Sequence, residues 1–348
     1  MRSTSEYLWF LKNLSPDILN LGGTTPQIPD FVSSWKNEMT EPFSVDNTKA
    51  LDELKKNISH MAHWPSEGIH ITPGVTEGVF GLLSTLTDPG DRVLFSQPYY
   101  EPFVAAGNFL GLKIDYFDPQ EYLLDAEFYK PYKMILITNP NCFTGLRCDQ
   151  FIEKLASLTK APLLVDEIYR PFSDKGKITF LNHFRLENII SVGGLSKPTG
   201  ITNLRIGWVL TSPKIVEALK KFDLFIHTDM PGVAVKSALN VMKNWSSLVQ
   251  FHLDDFESKR QALEGQLSHW RLSLDKLGTR YFFDIPIPSS YSTAHQLVQE
   301  LQQKHKMCVI EGSFFGVPKR VRISLTGNIS HLKNLFDILI QFSNGQHL

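Results

Sequence analysis

The chain has 348 residues, a net charge of −1 at pH 7 and a pI of about 6.8. The near-neutral charge gives no excess of basic residues for nucleic acid or an anionic membrane, so we expect a small-molecule substrate. Hydrophobic residues make up 42% and charged residues 20% of the sequence, which is typical of a soluble globular protein. The length is enough for two domains of roughly 150 residues each.

Cysteine and histidine usage points away from disulfides and metals. Cys142, Cys148 and Cys308 are too few and too scattered for a disulfide framework, and they form no Cys-x-x-Cys pair. We therefore expect a reducing, cytoplasmic compartment. His60 and His63 could share one helix face, but no obvious acidic or cysteine partner lies near them in the sequence. We predict no metal site.

The N-terminal segment contains one short apolar cluster, Tyr7–Leu11. It is too short for the apolar core of a signal peptide. No apolar run approaches the roughly 20 residues of a membrane helix, so we expect no membrane partner. We expect the cluster to pack on the body of the protein or on a partner subunit.

Short apolar runs alternate with helical patterns from about Ile69 to Thr211. The runs predict strands at Gly68–Ile71, Arg92–Ser96, Lys113–Phe117, Lys133–Thr138, Pro162–Asp166, Ile189–Gly193 and Gly207–Thr211. The longer patterns predict helices at Glu77–Leu86, Glu101–Leu110, Cys148–Thr159 and Pro213–Phe225. This alternation predicts an α/β fold with a mostly parallel sheet and helices on both faces. The run at 134–138 is apolar throughout, as in buried parallel strands.

The remainder of the chain has a different pattern. It predicts long helix at Val233–Leu277, strands at Tyr281–Pro286 and Val321–Leu325, and a helix at Thr293–Lys304. We predict a large domain at 46–232. The first 45 residues show no pattern of the large sheet, so we assign 1–45 together with 233–348 to a smaller α+β domain.

Reactive side chains follow the predicted strands at their carboxyl ends, where open α/β sheets bind ligands. Asp166 ends one strand, and Lys197 follows the next in the sequence Gly-Gly-Leu-Ser-Lys. Asn139 and Asn141 follow a third strand, and a glycine-containing turn at 72–77 joins a strand to a helix. Each feature alone also fits a helix cap, a solvated charge or a tight turn. Their combination predicts a site.

The order and spacing of these residues resemble the class I/II aminotransferases, which have fold type I and depend on pyridoxal 5′-phosphate (PLP). The matching segments are Thr72-Pro-Gly-Val-Thr-Glu-Gly78, Pro98-Tyr-Tyr100, Asn139-Pro-Asn-Cys-Phe-Thr-Gly145, Asp166-Glu-Ile-Tyr169, Leu195-Ser-Lys197, Leu204-Arg-Ile-Gly207, Gly312-Ser-Phe-Phe-Gly316 and Arg322-Ile-Ser324. They cover over half the chain. The resemblance implies the PLP-transferase fold, PLP as cofactor and a homodimer.

The resemblance also implies roles for the reactive residues. Lys197 would hold PLP as a Schiff base, because the cofactor needs an amine to form an imine. Asp166 would keep the pyridine nitrogen protonated, and Tyr169 would hydrogen-bond the phenolic oxygen. Tyr100 would stack on the pyridine ring and contact the substrate. Arg322 would bind the substrate α-carboxylate through a two-pronged salt bridge.

The remaining expected contacts surround the phosphate and the phenolic oxygen of PLP. Val75 and Thr76 offer a helix N-terminus to the phosphate, and Ser196 and Arg205 match its other ligands. Asn141 and Cys142 are expected beside the cofactor.

Three departures from the family pattern stand out. Cys142 replaces the usual Asn of the family, and Glu311 replaces a common Pro. Members of the family also carry a Tyr that reaches the phosphate of a neighbouring subunit. That Tyr has no clear match here, and Phe43 is the nearest candidate.

The leading prediction is transfer of an amino group between an α-amino acid and a 2-oxo acid, with Lys197 as general base. The same fold supports β-elimination, decarboxylation, cyclisation or oxidation, and Cys142 keeps that alternative open. A third alternative is a non-catalytic PLP-binding regulatory protein, but the sequence shows no DNA-binding extension. Residues 193–200 lack the residue order of a P-loop or of Gly-x-Gly-x-x-Gly, so nucleotide binding is not expected.

Overall fold

The computed structural model describes residues 4–32, 47–120, 125–181, 188–270 and 281–344. The helices in these ranges are α1 (Glu6–Asn13), α2 (Thr48–Ala62), α3 (Val75–Leu86), α4 (Glu101–Phe109), α5 (Ala126–Tyr129), α6 (Asp149–Leu158), α7 (Arg170–Ser173), α8 (Ser196–Thr199), α9 (Pro213–Ile226), α10 (Gly232–Lys243), α11 (Trp245–Ala262), α12 (Glu264–His269), α13 (Ala294–His305) and α14 (Ile329–Ser343). The strands are β1 (Leu19–Asn20), β2 (Ile69–Thr72), β3 (Arg92–Ser96), β4 (Lys113–Phe117), β5 (Met134–Thr138), β6 (Leu163–Asp166), β7 (Ile189–Gly194), β8 (Gly207–Leu210), β9 (Phe282–Pro286), β10 (Met307–Cys308), β11 (Ile310–Glu311) and β12 (Arg320–Ser324).

A seven-stranded sheet forms the centre of the molecule, with the strand order β2-β8-β7-β6-β5-β3-β4. Strands β7, β6, β5, β3 and β4 run parallel to one another. Strand β8 is antiparallel to both of its neighbours, β2 and β7. The prediction of an α/β fold with a mostly parallel sheet is therefore confirmed, and each predicted strand of this sheet agrees with the observed bounds to within one residue.

Alternate residues of the central strands pack against different helices. Leu136 and Leu164 belong to one apolar cluster with residues of α3, α4 and α9. Ile135 and Leu163 belong to another with residues of α5 and α6. Because successive side chains of a strand point to opposite faces, both faces of the sheet are covered by helices. This double burial explains why these strands are apolar throughout.

The C-terminal part forms a second, smaller sheet, in the antiparallel order β11-β12-β9. The predicted strands here are present, and so is the helix predicted from Thr293, which is α13. The single long helix predicted at Val233–Leu277 is wrong, because the described part of that range contains α10, α11 and α12 instead. Asn244 separates the first two, and its side-chain amide donates to the carbonyl of Asn240, a side-chain bond of the kind that competes with helix continuation.

The N-terminal segment joins the C-terminal part through β1, which pairs in parallel with β10. The division into domains at 46–232 stays a prediction, because residues 33–46 lie outside the described ranges. Phe43 also lies outside them. Within the described ranges, no helix combines the length and the apolar character that crossing a membrane requires.

A close backbone approach places β8 beside the start of α3. A Cβ atom on Gly207 would lie 2.7 Å from the carbonyl carbon of Gly74 and 2.9 Å from the nitrogen of Val75. Gly74 itself has φ of +91°, a conformation that side chains other than glycine rarely adopt. Two glycines therefore allow the end of the sheet and the N-terminus of a helix to meet.

We expect Gly207→Ala to lower the free energy of unfolding by about 1–3 kcal/mol, because the added methyl group meets backbone that has little room to move. Gly265 in α12 is the matched control, since nothing lies within 4 Å of its Cβ position. Gly265→Ala should be neutral or stabilising by about 0.5–1 kcal/mol. Urea unfolding midpoints measure both changes. Wild-type stability in Gly207→Ala would contradict the close approach.

Candidate active site

A cavity of about 170 Å³ lies where the carboxyl ends of β6 and β7 meet the N-terminus of α3. Helix α1 contributes to its wall. The side chains that line the cavity are Tyr7, Leu8, Leu11, Thr24, Val75, Thr76, Tyr100, Phe103, Cys142, Asp166, Ile168, Tyr169, Ser196, Lys197, Thr202 and Arg205. Every site residue predicted from the sequence is among them except Asn141 and Arg322.

Asp166 ends β6 and has 3% of its surface exposed. Its Oδ1 accepts a hydrogen bond of 3.0 Å from the backbone N–H of Ile168. Burial raises the pKa of Asp166 to about 7, and the adjacent charge of Glu167 adds to the rise, while the Ile168 bond and Lys197 oppose it. A cation placed beside this carboxyl group would favour its ionised form.

Lys197 lies in α8, directly after β7, and its Nζ donates to Oγ1 of Thr25 at 3.0 Å. Burial lowers the pKa of Lys197 to about 8, with contributions from the charges of Arg322 and Arg205. A substantial fraction of the amine is therefore neutral near pH 8. A neutral amine can act as a nucleophile or as a base.

Tyr169 and Cys142 occupy the wall near Asp166. The Tyr169 hydroxyl and Oγ1 of Thr24 are 2.9 Å apart, and both residues are buried. Burial raises the pKa of Tyr169 and raises that of Cys142 to about 12. Both groups keep their protons near neutral pH, so each can donate a hydrogen bond, although a thiol is a weak donor.

The opposite end of the cavity is suited to an anion. Val75 and Thr76 are the first residues of the 12-residue helix α3, whose N-terminal N–H groups have no partner within the helix. Ser196 adds a hydroxyl. The guanidinium of Arg205 lies over the same helix start and donates to the Pro73 carbonyl at 3.3 Å. Unpaired N–H groups and a fixed positive charge are the usual donors to a phosphate.

Arg322 lies behind the cavity wall rather than in it. It is 1% exposed and donates to the carbonyl of Gly22 at 3.1 Å, to the carbonyl of Cys142 at 2.6 Å and to the Tyr7 hydroxyl at 2.9 Å. Tyr7 and Cys142 both line the cavity, so the guanidinium reaches it only through residues that it hydrogen-bonds.

Asn141 is a predicted site residue, but its side chain makes its hydrogen bonds within and beside the loop after β5. Its Nδ2 donates to the Pro98 carbonyl at 2.7 Å, and its Oδ1 accepts from the N–H groups of Phe143 and Thr144. A contact with the cofactor would require these bonds to break. The structure therefore assigns Asn141 to the turn, which is a common use of Asn.

Sequence reasoning missed several polar residues at the site, among them Tyr7, Thr24 and Thr25. Tyr7 belongs to the apolar cluster that was expected only to pack on the body or on a partner. Thr24 and Thr25 follow two glycines and precede a proline, a turn pattern that could have directed attention to them. They come from a part of the chain distant in sequence from the strand ends, so no local pattern links them to Lys197.

The residues present fit PLP. Its aldehyde requires an amine such as that of Lys197, and its ring nitrogen requires a buried anion such as Asp166. Its phosphate requires the donors at the start of α3. A Cβ atom on Gly74 would lie 2.5 Å from Nη2 of Arg205, so the glycine is what leaves room for the guanidinium there.

Comparison with known proteins identifies the family of the chain. Residues 22–339 match the aminotransferase class I and II family. A (5-formylfuran-3-yl)methyl phosphate transaminase from Methanocaldococcus jannaschii is 24% identical over 92% of this chain and 88% of its own length. An aspartate aminotransferase from Thermotoga maritima is 22% identical over 95% of this chain and 92% of its own length.

Solved structures show the same fold. A Methanococcus jannaschii protein, described as similar in its active site to kynurenine aminotransferases, superimposes with a TM-score of 0.83 at 22% identity, over 99% of this chain and 98% of the other. An aminotransferase from Staphylococcus aureus superimposes with a TM-score of 0.82 at 20% identity, over 96% of this chain and 98% of the other. The fold is that of the aspartate aminotransferases.

The chain belongs to the aminotransferase class I and II family. It is a PLP-dependent enzyme that transfers an amino group between an amino acid and an oxo acid.

We expect Asp166→Asn to stabilise the cofactor-free protein above pH 7. The pKa of about 7 in the folded chain lies above the ordinary value of 3.8. Wild type therefore binds the proton more tightly when folded, and it loses stability as the pH rises from about 4 through 7, by something on the order of 2–4 kcal/mol. The Asn variant lacks this loss. Glu167 is present in both proteins, so its own titration cancels to first order.

Thermal unfolding of both cofactor-free proteins at pH 4.5, 6 and 8 measures this effect. The difference in Tm should be smallest at the lowest pH and largest at pH 8. A difference that does not change with pH would mean that Asp166 is not held protonated by burial.

Proposed function

We propose that Lys197, Asp166 and Tyr169 carry out the amino-group transfer, and that Lys197 is the residue bonded to the cofactor. The observation that carries this proposal is the pair of opposite pKa shifts in one cavity, with Lys197 lowered to about 8 and Asp166 raised to about 7. Ionisable groups with strongly shifted pKa values that share a cavity are typical of catalytic sites.

PLP, when bound, supplies the aldehyde that accepts the amino group and the ring that takes up electrons from the substrate Cα. Asp166 would favour a proton on the ring nitrogen, because its buried carboxylate would gain a counter-charge there. Lys197 would serve as the base that takes the proton from the substrate Cα. A pKa of about 8 suits a base that works near neutral pH.

The remaining wall residues orient the cofactor. Tyr169 would donate to the phenolic oxygen, and Oγ1 of Thr24 lies 2.9 Å from its hydroxyl. Tyr100 would cover the pyridine ring, and Cys142 would offer its protonated thiol to the cofactor. The four residues proposed to hold the phosphate are Val75, Thr76, Ser196 and Arg205. Arg322 provides the positive charge for the substrate carboxylate.

Borohydride reduction of the PLP-loaded enzyme should attach the cofactor irreversibly to Lys197, and peptide mapping should find the label there alone. Lys197→Ala should carry no label. Lys214→Ala is the matched control, because Lys214 is an exposed lysine of α9 and its loss should leave the label unchanged. Labelling of any other lysine in wild type would overturn the assignment.

We also propose a homodimer with its active sites near the subunit interface. Leu224, Phe225 and Ile226 at the end of α9 are 67%, 85% and 45% exposed. A mostly apolar groove that includes Phe80 and Phe109 also opens beside Thr76 and Arg205, next to the proposed phosphate site. Apolar surface of this extent is typically covered by a partner, and a second copy of the chain is the partner we propose.

We propose a cytoplasmic location as well. The support is that the three cysteines are free, with Cys142 and Cys308 buried. Unpaired buried thiols are ordinary in a reducing compartment.

Light scattering at low micromolar concentration should give twice the chain mass of 39.6 kDa for wild type. Phe225→Asp places a charge in the exposed apolar run and should shift the mass toward that of one chain. Leu158→Asp is the matched control, because Leu158 is an exposed apolar residue of α6 away from this run. A wild-type enzyme that is active at the mass of a single chain would refute the dimer.

A further inference from the structure

We propose that Glu167 is a second buried carboxylate of the cofactor site, and that it acts through Asp166 to hold the proton on the ring nitrogen of PLP. Glu167 does not line the cavity, so it is a positioning residue rather than a catalytic one. This inference rests on the proposed function, because it requires the ring nitrogen to lie beside Asp166.

Glu167 lies directly behind Asp166. It follows the last residue of β6, and its backbone N–H donates to the Val192 carbonyl of β7 at 2.8 Å, so the strand pairing continues through it. Successive side chains of a strand point to opposite faces, which directs Asp166 to the cavity and Glu167 away from it. Glu167 is 1% exposed, and charges are weakly screened in such surroundings, so the charge of one carboxyl group affects the other.

The hydrogen bonds of Glu167 suit an ionised carboxylate. Its Oε1 accepts from the backbone N–H of Phe180 at 2.9 Å, and its Oε2 accepts from the hydroxyl of Ser191 at 2.6 Å and from that of Thr179. The Thr179 oxygen also accepts from the N–H of Leu181, so its own hydrogen is left for Glu167. Donors on both carboxyl oxygens favour the charged form.

Arg170 compensates this negative charge only in part. Its Nη1 binds Asp149 at 2.8 Å and its Nη2 binds Asp174 at 3.1 Å. Its Nε lies 3.9 Å from Oε1 of Glu167 and has no hydrogen-bond partner among the described residues. The other cations that pair with these two aspartates are more exposed, namely Arg147 and Lys177. Glu167 is therefore held mainly by neutral donors, and its charge remains available to Asp166.

The two neighbouring carboxyl groups share a need for a cation. Burial raises the pKa of Glu167 to about 7, while Arg170 and the three hydrogen-bond donors oppose the rise. The charge of Glu167 in turn adds to the rise in the pKa of Asp166. Without a cation, ionisation of one group disfavours ionisation of the other. A proton on the ring nitrogen of PLP would supply the positive charge, and both carboxylates would attract it.

Competition between PLP and its analogue with C–H in place of the ring nitrogen tests the proposal. The cofactor-free protein is equilibrated with both compounds at pH 8, borohydride fixes the bound one, and mass spectrometry of the Lys197 peptide gives their ratio. We expect wild type to prefer PLP. Glu167→Gln keeps the size of the side chain and should lower this preference about 3-fold or more, because one of two negative charges near the nitrogen is lost.

The ratio separates an electrostatic role from a merely structural one. A purely structural defect in Glu167→Gln would weaken both compounds equally and leave the preference unchanged, and that result overturns the proposal. Glu217→Gln is the matched control, because Glu217 is an exposed glutamate of α9 and its loss should leave the preference as in wild type.

Asp166→Asn distinguishes the inference from the proposed function. Its preference for PLP should nearly vanish, because the carboxylate beside the nitrogen is gone. A preference that survives in Asp166→Asn overturns the proposed role of Asp166 and the inference with it. A preference that is lost in Asp166→Asn but unchanged in Glu167→Gln overturns the inference alone.

Ser191→Ala tests the same claim with a smaller change, and it carries the test if Glu167→Gln does not fold. Loss of one donor should raise the pKa of Glu167, so fewer molecules carry its charge at pH 7. We expect the preference for PLP to be lower than in wild type by about 1.5-fold or more at pH 7 and to match wild type at pH 9, where Glu167 is ionised in both. A preference equal to wild type at pH 7, or an equal deficit at both pH values, overturns the proposal.

Discussion

The carboxyl group of Asp166 lies at the carboxyl end of β6, the middle strand of the large sheet, with 3% of the residue exposed. The free energy of keeping a charge there constrains the rest of the active site. Burial raises the pKa of Asp166 to about 7, while the buried charge of Arg322 and that of Arg205 help to lower the pKa of Lys197 to about 8. Near neutral pH, both groups are therefore close to losing or gaining a proton. A cofactor with a basic ring nitrogen and an aldehyde would offer a positive charge to Asp166 and a reaction partner to the amine of Lys197.

The location of the site follows from the direction of the strands. Parallel strands present their carboxyl ends at one edge, so β6 and β7 bring Asp166 and Lys197 together although 30 residues separate them. The N-terminal segment closes the cavity by a different route. It is held by the pairing of β1 with β10 and by Glu101, and it contributes Tyr7, Thr24 and Thr25.

Much of this arrangement could be predicted from the sequence, for identifiable reasons. The strands of the large sheet were predictable because burial on both faces makes them apolar throughout. Asp166, Lys197 and Tyr169 were predictable because each sits in a local segment with a recognisable order. Such segments also identified Asn141, but its side chain binds its own turn, and a linear pattern does not show which way an amide points.

Other features depend on contacts between distant parts of the chain. Strand β8 runs antiparallel to both of its neighbours, and its own apolar residues do not show that direction. The predicted long helix is divided at Asn244, where the side-chain amide binds the Asn240 carbonyl, and again at Leu263. Arg322 was identified as a carboxylate ligand, but only the fold shows that its guanidinium donates to the Tyr7 hydroxyl.

Protonation of the cofactor's ring nitrogen tests the central claim most directly. PLP labelled with ¹⁵N in the ring can be bound to the full chain and its nitrogen chemical shift followed by NMR as the pH is raised. If the buried Asp166 carboxylate stabilises a positive charge on the ring nitrogen, that nitrogen stays protonated at pH 8 and above. A shift typical of a neutral pyridine at pH 8 would contradict the account.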